Sequence, residues 1–250
     1  MNKIEIGTWA EIPTSYTIHI MSKAGFDFSI ADFEHGSLDM QTVQNMVFAA
    51  HAANAKLYVR VPEITEAWIL RVLDTGCDGL IFPQIHSVDQ VKQVLKYSCF
   101  PPMGSRGFNP YITAGNYGKV SGSYFLDENN RIKLGVILEN KAIIEDLDSV
   151  LDLNVHGRGI DIFYIGQYDL SVDMGIPGDV TNPKLLTVME NAVKKINLAN
   201  KMAGCMVHSV EECKQAIKQG FAYIVYKVDA GLLFTVVNNF IEEVKKNESM

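Results

Sequence analysis

No stretch of the sequence approaches the ~18 consecutive apolar residues that a membrane-spanning helix needs, and the chain is expected to have no membrane partner. Cysteine is scarce. Cys77, Cys99, Cys205 and Cys213 form no C-x-x-C pair and no spacing of the metal-ligand type. They read as reduced, mostly buried thiols. Clusters of lysine or arginine are missing too, and the formal net charge is −7, which argues against a nucleic-acid partner. The opening residues run straight into a strand pattern without the apolar core of a signal peptide. A cytoplasmic protein is the expectation. Glycine-rich nucleotide fingerprints are absent as well. The first strand candidate ends Gly7-Thr8-Trp9-Ala10-Glu11-Ile12-Pro13, which is neither G-x-G-x-x-G nor a Walker A sequence.

What is present is a regular alternation. Strand candidates fall at 4–10, 26–34, 57–61, 79–85, 134–139, 160–166, 204–207 and 223–228. Several are nearly continuous apolar runs, as strands covered on both faces should be. Helical segments lie between them and begin with recognisable caps. Ser87-Val88-Asp89-Gln90 and Ser209-Val210-Glu211-Glu212 fit the capping box, and Asn182-Pro183 supplies a cap followed by proline at the first helical position. Gly220 stands where a left-handed residue would end the helix begun at Ser209. Eight such units in 250 residues predict a (β/α)8 TIM barrel occupying the whole chain as one domain.

Two segments depart from the rhythm. An insertion at about 100–131 carries Phe108, Tyr111, Tyr117, Tyr124 and Phe125, and so many aromatics favour an ordered covering loop over a disordered one. Arg106 within it reads more readily as a residue that orders the loop than as one that binds substrate. The last segment, 231–245, is apolar at Leu232, Leu233, Phe234, Val236, Val237, Phe240, Ile241 and Val244. That exceeds one core-facing stripe. It fits either a deeply buried final helix or one that also packs on another subunit.

In a barrel of this kind the site forms at the C-terminal ends of the strands. The stretch Asp32-Phe33-Glu34-His35 puts two acids and a histidine at one such end, and on a strand Asp32 and Glu34 would share a face. A salt-bridged strand end and a catalytic group are both open readings. Arg60, closing the third strand, either pairs with Asp32 or Glu34 or serves a ligand. Glu139 closes the fifth strand with no neutralising neighbour in sequence, and Asp169 follows the sixth at Gly166-Gln167-Tyr168. Two lone carboxylates on adjacent strands suit a hard divalent cation, Mg²⁺, Mn²⁺ or Co²⁺, that keeps positions open for water or substrate. Trp9, Gly166 and Tyr168, with Arg60, are candidates for contact with substrate. His86 and His208 follow strands four and seven and could line the mouth, whereas His19, His51 and His156 read as ordinary.

In that order, these motifs resemble the HpcH/HpaI family of class II pyruvate-dependent aldolases, relatives of the citrate lyase β subunit. The resemblance spans almost the whole chain. It rests on Gly25-Phe26-Asp27 leading into Asp32-Phe33-Glu34-His35-Gly36, on Val59-Arg60-Val61-Pro62, on Leu73-Asp74-Thr75-Gly76, on Pro101-Pro102-Met103-Gly104-Ser105-Arg106-Gly107, and on Glu139 and Gly166-Gln167-Tyr168-Asp169-Leu170-Ser171. It implies a carbon–carbon lyase acting on a 2-oxo acid and an aldehyde. Glu139 and Asp169 would bind the metal, Arg60 would hold the keto oxygen of pyruvate, and His35, paired with Asp32, would be the acid/base group. Asp74 matches an acid presented toward a neighbouring subunit's site. A homo-oligomer, a hexamer by resemblance, with the last helix exchanged between protomers, is implied as well. A citrate-lyase-like reaction on another substrate and a non-catalytic barrel are the competing readings. The chain departs from the family pattern at Ile137, where glutamine is common, at Gln167, where proline is usual, at Tyr168, where a small residue is common, and in extra residues around 154–159.

Overall fold

A strand covered on both faces is expected to be largely apolar, and Phe28–Asp32 is buried at all five residues, apolar at Phe28, Ile30 and Ala31 and ending in the buried Asp32. It is one of eight strands in the computed structural model, which describes residues 3–248. They are β1 (Glu5–Ala10), β2 (Phe28–Asp32), β3 (Lys56–Arg60), β4 (Gly79–Phe82), β5 (Lys133–Leu138), β6 (Ile162–Ile165), β7 (Met202–Val207) and β8 (Tyr223–Val228). Each pairs in parallel with the next, and β8 returns to β1 with Glu5 beside Tyr223 and Gly7 beside Val225. The result is a closed eight-stranded barrel, the predicted (β/α)8 architecture.

The helices are α1 (Ser15–Ala24), α2 (Met40–Ala52), α3 (Glu66–Asp74), α4 (Val88–Ser98), α5 (Tyr124–Arg131), α6 (Lys141–Glu145), α7 (Leu147–Leu151), α8 (Gln167–Asp173), α9 (Pro183–Leu198), α10 (Val210–Gln219) and α11 (Asp229–Glu248). Their caps follow the sequence. Ser87, Asn182 and Ser209 accept the amides of Gln90, Lys184 and Glu212, and Gly220 ends α10 at φ 98°. The reciprocal half of the two capping boxes differs from expectation. Gln90 and Glu212 accept the amides of His86 and His208, one residue ahead of the serine. None of these helices is long and apolar enough to cross a membrane. The four cysteines are free, three of them buried.

Side chains alternate along each strand, so the barrel divides into two apolar layers. Outward residues such as Ala31, Leu57 and Val59 pack under the helices. Inward residues, among them Trp9, Phe28, Ile30, Tyr58, Ile137, Tyr164 and Tyr223, fill the lumen, where Phe28 stacks on Tyr223 at 4.1 Å between ring centroids. Following the inward columns toward the strand C-termini leads from Trp9 to Glu11, from Ile30 to Asp32, from Tyr58 to Arg60, from Ile137 to Glu139 and from Tyr164 to Gly166. The packed lumen therefore ends in a ring of polar groups.

Two expectations are corrected by the architecture, and one of two open readings is excluded. Strand β2 stops at Asp32, so Glu34 and His35 belong to the turn beyond it and do not share a strand face with Asp32. The segment 100–131 is ordered, with Phe100, Phe108, Tyr124 and Phe125 packed edge-on against one another. It connects the end of α4 to the start of β5, however. It therefore lies at the N-terminal end of the barrel and covers no part of this chain's own strand C-termini. Finally, α11 is not deeply buried. It touches β1 and β8, but Phe234 and Phe240 are 70% and 65% exposed, and Leu233, Val236 and Val237 are exposed with them.

Candidate active site

A cavity of about 210 Å³ opens at the C-terminal ends of the strands, lined by Trp9, Glu11, His35, Arg60, Glu139 and Asp169, together with β6–α8 residues and Met206 and Val228. Its most rigid part is an ion-pair network. Asp32 is fully buried. Its Oδ1 accepts the Arg60 Nε–H at 2.8 Å, and its Oδ2 accepts from Nη2. Arg60 Nη1 also faces Glu34 at 3.1 Å, and the guanidinium lies over the Trp9 ring, 4.4 Å from its centroid. Burial works against the Arg60 charge, but the hydrogen bonds and charge of Asp32, with Glu34, outweigh it and hold the group above its ordinary value.

This geometry corrects the expected Asp32–His35 pair. Asp32 Oδ1 accepts the main-chain amides of Glu34 at 2.9 Å and His35 at 3.3 Å, so it shapes the turn that carries His35. Among the described residues no hydrogen bond joins Asp32 to the imidazole. The contacts of Asp32 are with Arg60 and the turn amides instead. His35 nevertheless lines the cavity.

Glu139 follows β5 directly and is buried. Burial, and then the charges of Asp169 and Glu34, push its carboxyl up to about 7, against the pull of the Gln84 amide and Arg60. The Gln84 N–H donates to Glu139 Oε1 at 2.5 Å. Gln84 adopts φ 54°, a left-handed conformation that a non-glycine residue takes only when its surroundings impose it. Asn140 does so from the other side, donating to the Ile85 carbonyl while capping α6. Gly166 is required here, since a Cβ on it would lie 2.9 Å from the Glu139 Cβ and 3.0 Å from the Ile137 side chain. Asp169 sits in the first turn of α8. Among the described residues no group of three or more His, Cys, Asp or Glu side chains is placed to hold a metal ion by itself. The donor set at the cavity is the two carboxylates of Glu139 and Asp169. A pair of like charges, one of them buried and driven to about 7, suits a hard divalent cation that completes its shell with water or ligand oxygens.

Tyr168 is half exposed at the mouth, where its hydroxyl meets His208 Nε2 at 3.1 Å. His86 does not line the cavity. Tyr164, whose hydroxyl burial pushes well above the usual tyrosine range, accepts the Trp9 indole N–H at 3.4 Å and so fixes the ring beneath Arg60. Asp74 stands apart from all of these. It ends α3 at the N-terminal end of the barrel and pairs with Arg106 at 3.4 Å. The buried Arg106 also faces Glu128 and lies over the Phe100 ring, so it orders the 100–131 segment. Sequence reasoning overlooked three contributors. The Gln84 contribution is a backbone amide and leaves no trace in residue type. Glu11 and Tyr164 were legible from the inward parity of β1 and β6.

A closed parallel barrel whose strand C-termini gather an anchored arginine, a histidine and a carboxylate pair has the layout of a barrel enzyme's active site. The sequence profile described as HpcH/HpaI aldolase/citrate lyase matches residues 5–234, and the chain belongs to that family. A 2-keto-3-deoxy-L-rhamnonate aldolase of Escherichia coli is 29% identical over 231 residues, 92% of this chain and 85% of its own. Among solved structures, an HpcH/HpaI aldolase from Desulfitobacterium hafniense superposes with a TM-score of 0.90 at 25% identity, covering 97% of this chain and 93% of the other. The citrate synthase SbnG superposes with a TM-score of 0.88 at 22% identity, covering 99% of this chain and 96% of its own. That last likeness bears on the fold alone.

Proposed function

We propose that this enzyme catalyses the reversible aldol cleavage of a 4-hydroxy-2-oxo acid to pyruvate and an aldehyde, with Glu139 and Asp169 holding a divalent cation. The observation that carries this reading is the convergence of Arg60, His35 and the strained carboxylate pair on one cavity. When bound, Mg²⁺, Mn²⁺ or Co²⁺ would polarise the ketone of the 2-oxo acid and acidify its methyl protons. Arg60 supplies a fixed positive charge where the keto oxygen gains electron density, and it needs no reorganisation because Asp32 and Glu34 already hold it. Trp9 backs the guanidinium and limits water on that side. His35 moves the proton, directly or through one water, since an imidazole exchanges protons readily near neutral pH. Asp32 acts by placing Arg60 and the His35 turn, not by setting the imidazole tautomer. Gly166 leaves the space in which Glu139 and the 2-oxo acid meet, and Tyr168 borders the aldehyde side. The relative named for 2-keto-3-deoxy-L-rhamnonate supports a 2-oxo-3-deoxy acid as substrate.

The direct test is exchange of pyruvate methyl protons into deuterated water, followed by NMR without any aldehyde. Exchange should require a divalent ion and stop on chelation. Exchange that persists in excess chelator, or its absence with each of the three ions, overturns the reading.

The reading extends to assembly. The apolar, exposed face of α11 fits packing against a second copy of the chain in a homo-oligomer, a hexamer by resemblance, and Asp74 would serve a neighbouring protomer's site. Phe234→Ser combined with Phe240→Ser should give smaller, less stable species by light scattering. A parent chain that is monomeric and fully active in dilute solution would refute the assembly.

A further inference from the structure

Two features of the cavity have no part in handling the 2-oxo acid. The first is Glu11, which extends the inward column of β1 beyond Trp9. Its main chain is pinned, because the buried Asp229 carboxylate accepts the amides of Glu11 at 3.0 Å and Ile12 at 3.1 Å. Glu11 lines the cavity, and among the described residues its carboxylate forms no ion pair and accepts no hydrogen bond. The second is the Tyr168–His208 pair. His208 extends the inward column of β7 beyond Met206, and its amide is fixed by Glu212 at 2.8 Å. His208 is not itself a lining residue; its ring meets the hydroxyl of Tyr168, which is.

Charge decides what these features admit. Three carboxylates line the cavity, Glu11, Glu139 and Asp169, and Arg60 is the one lysine or arginine among its lining residues. Arg60 is already committed to Asp32 and Glu34. Once the 2-oxo acid's own carboxylate is accommodated beside Glu139 and Asp169, no cation is left for a second anionic group. Glu11 repels such a group, and repulsion in a partly buried site is poorly screened. A hydroxyl is received differently. It can donate to the Glu11 carboxylate and exchange hydrogen bonds with the Tyr168 hydroxyl and the His208 imidazole.

Resting on the aldolase reading above, we infer that Glu11 and the Tyr168–His208 pair form the aldehyde subsite and restrict it to uncharged, hydroxyl-bearing aldehydes. Glu11 is the charge filter, and the pair supplies the hydrogen bonds. The experiment uses the metal-loaded enzyme with saturating pyruvate at pH 8, comparing kcat/KM for glycolaldehyde, propanal and succinic semialdehyde. Glycolaldehyde should exceed succinic semialdehyde by about 10²-fold, because buried like charges discriminate at that level. Glu11→Gln, and separately Glu11→Ser, should shift the ratio toward succinic semialdehyde by roughly tenfold. Tyr168→Phe should shrink the advantage of glycolaldehyde over propanal by roughly tenfold, the effect of losing one hydrogen bond to substrate. Preference for succinic semialdehyde in the parent, or ratios unmoved in the Glu11 variants, overturns the inference. Aldehyde-independent proton exchange separates the two levels: exchange with the wrong preference sinks the subsite alone, and no exchange with any divalent ion sinks the aldolase reading itself.

Discussion

Arg60→Lys is expected to lower the rate of pyruvate proton exchange by about 10²–10³-fold, the usual consequence of losing one preorganised oxyanion donor, while the barrel remains folded. The structure explains both halves of this expectation. Asp32 is fully buried and its two oxygens accept Nε and Nη2 of one guanidinium. Removing all positive charge would leave a buried carboxylate without a partner, which is strongly destabilising. Lysine keeps a charge within reach of Asp32, so folding survives. It cannot keep the geometry. A guanidinium carries five donors in a rigid fork, and here the fork engages Asp32 and Glu34 while N–H groups of its terminal nitrogens remain for a keto oxygen. An ammonium drawn to Asp32 has no such second edge. Proton exchange under saturating divalent ion measures the loss, and circular dichroism checks the fold. A lysine variant within about threefold of the parent would assign Arg60 to the ion-pair network alone.

The ion-pair network around Arg60 shows where sequence reasoning succeeds and where it stops. Apolar continuity and helix caps made the eight strands legible to within a few residues, because covered parallel strands and capped helices each leave a residue-type signature. The charged residues that line the cavity were legible as charges at or just beyond strand ends, since a charge closing an apolar run is costly unless it is used or paired. Their pairing was legible only in part: an Arg60 pair with Asp32 or Glu34 was one open reading, whereas the Asp32–His35 pair that the resemblance implied does not form. Asp32 lies three residues from His35 and 28 from Arg60, yet its carboxylate bonds the distant side chain because β2 and β3 place Asp32 beside Arg60 in register. The aromatic richness of 100–131 did not reveal its location, which follows from the direction of α4 and β5. The Gln84 amide could not be foreseen, because any residue there offers the same N–H.

In chelator, Glu139→Gln is expected to stabilise the enzyme at pH 8 and to change little at pH 5. Burial, followed by the charges of Asp169 and Glu34, holds the Glu139 carboxyl at about 7 in the folded chain, against about 4.3 for an unperturbed glutamate in the unfolded chain. The folded state therefore binds this proton more tightly than the unfolded state. Below the unfolded value both states are protonated and nothing is lost. As pH rises through the window from about 4.3 to 7, the unfolded chain releases the proton first and stability falls, until above about 7 the full penalty is present. At about 1.4 kcal/mol per unit, that penalty is on the order of 3 kcal/mol before solvent screening reduces it. Glutamine carries no charge to bury and retains an oxygen for the Gln84 amide, so it should recover most of this at pH 8. At pH 5 it should recover a small fraction. Urea unfolding at the two pH values measures the difference directly. Adding Mn²⁺ to the parent at pH 8 should raise its stability, because an ion that binds only the folded state stabilises it by mass action. The same addition should do much less for the glutamine variant, which lacks one of the two charges proposed to hold the ion. Equal gains for the variant at pH 5 and pH 8 would show that the Glu139 charge is not what strains the site.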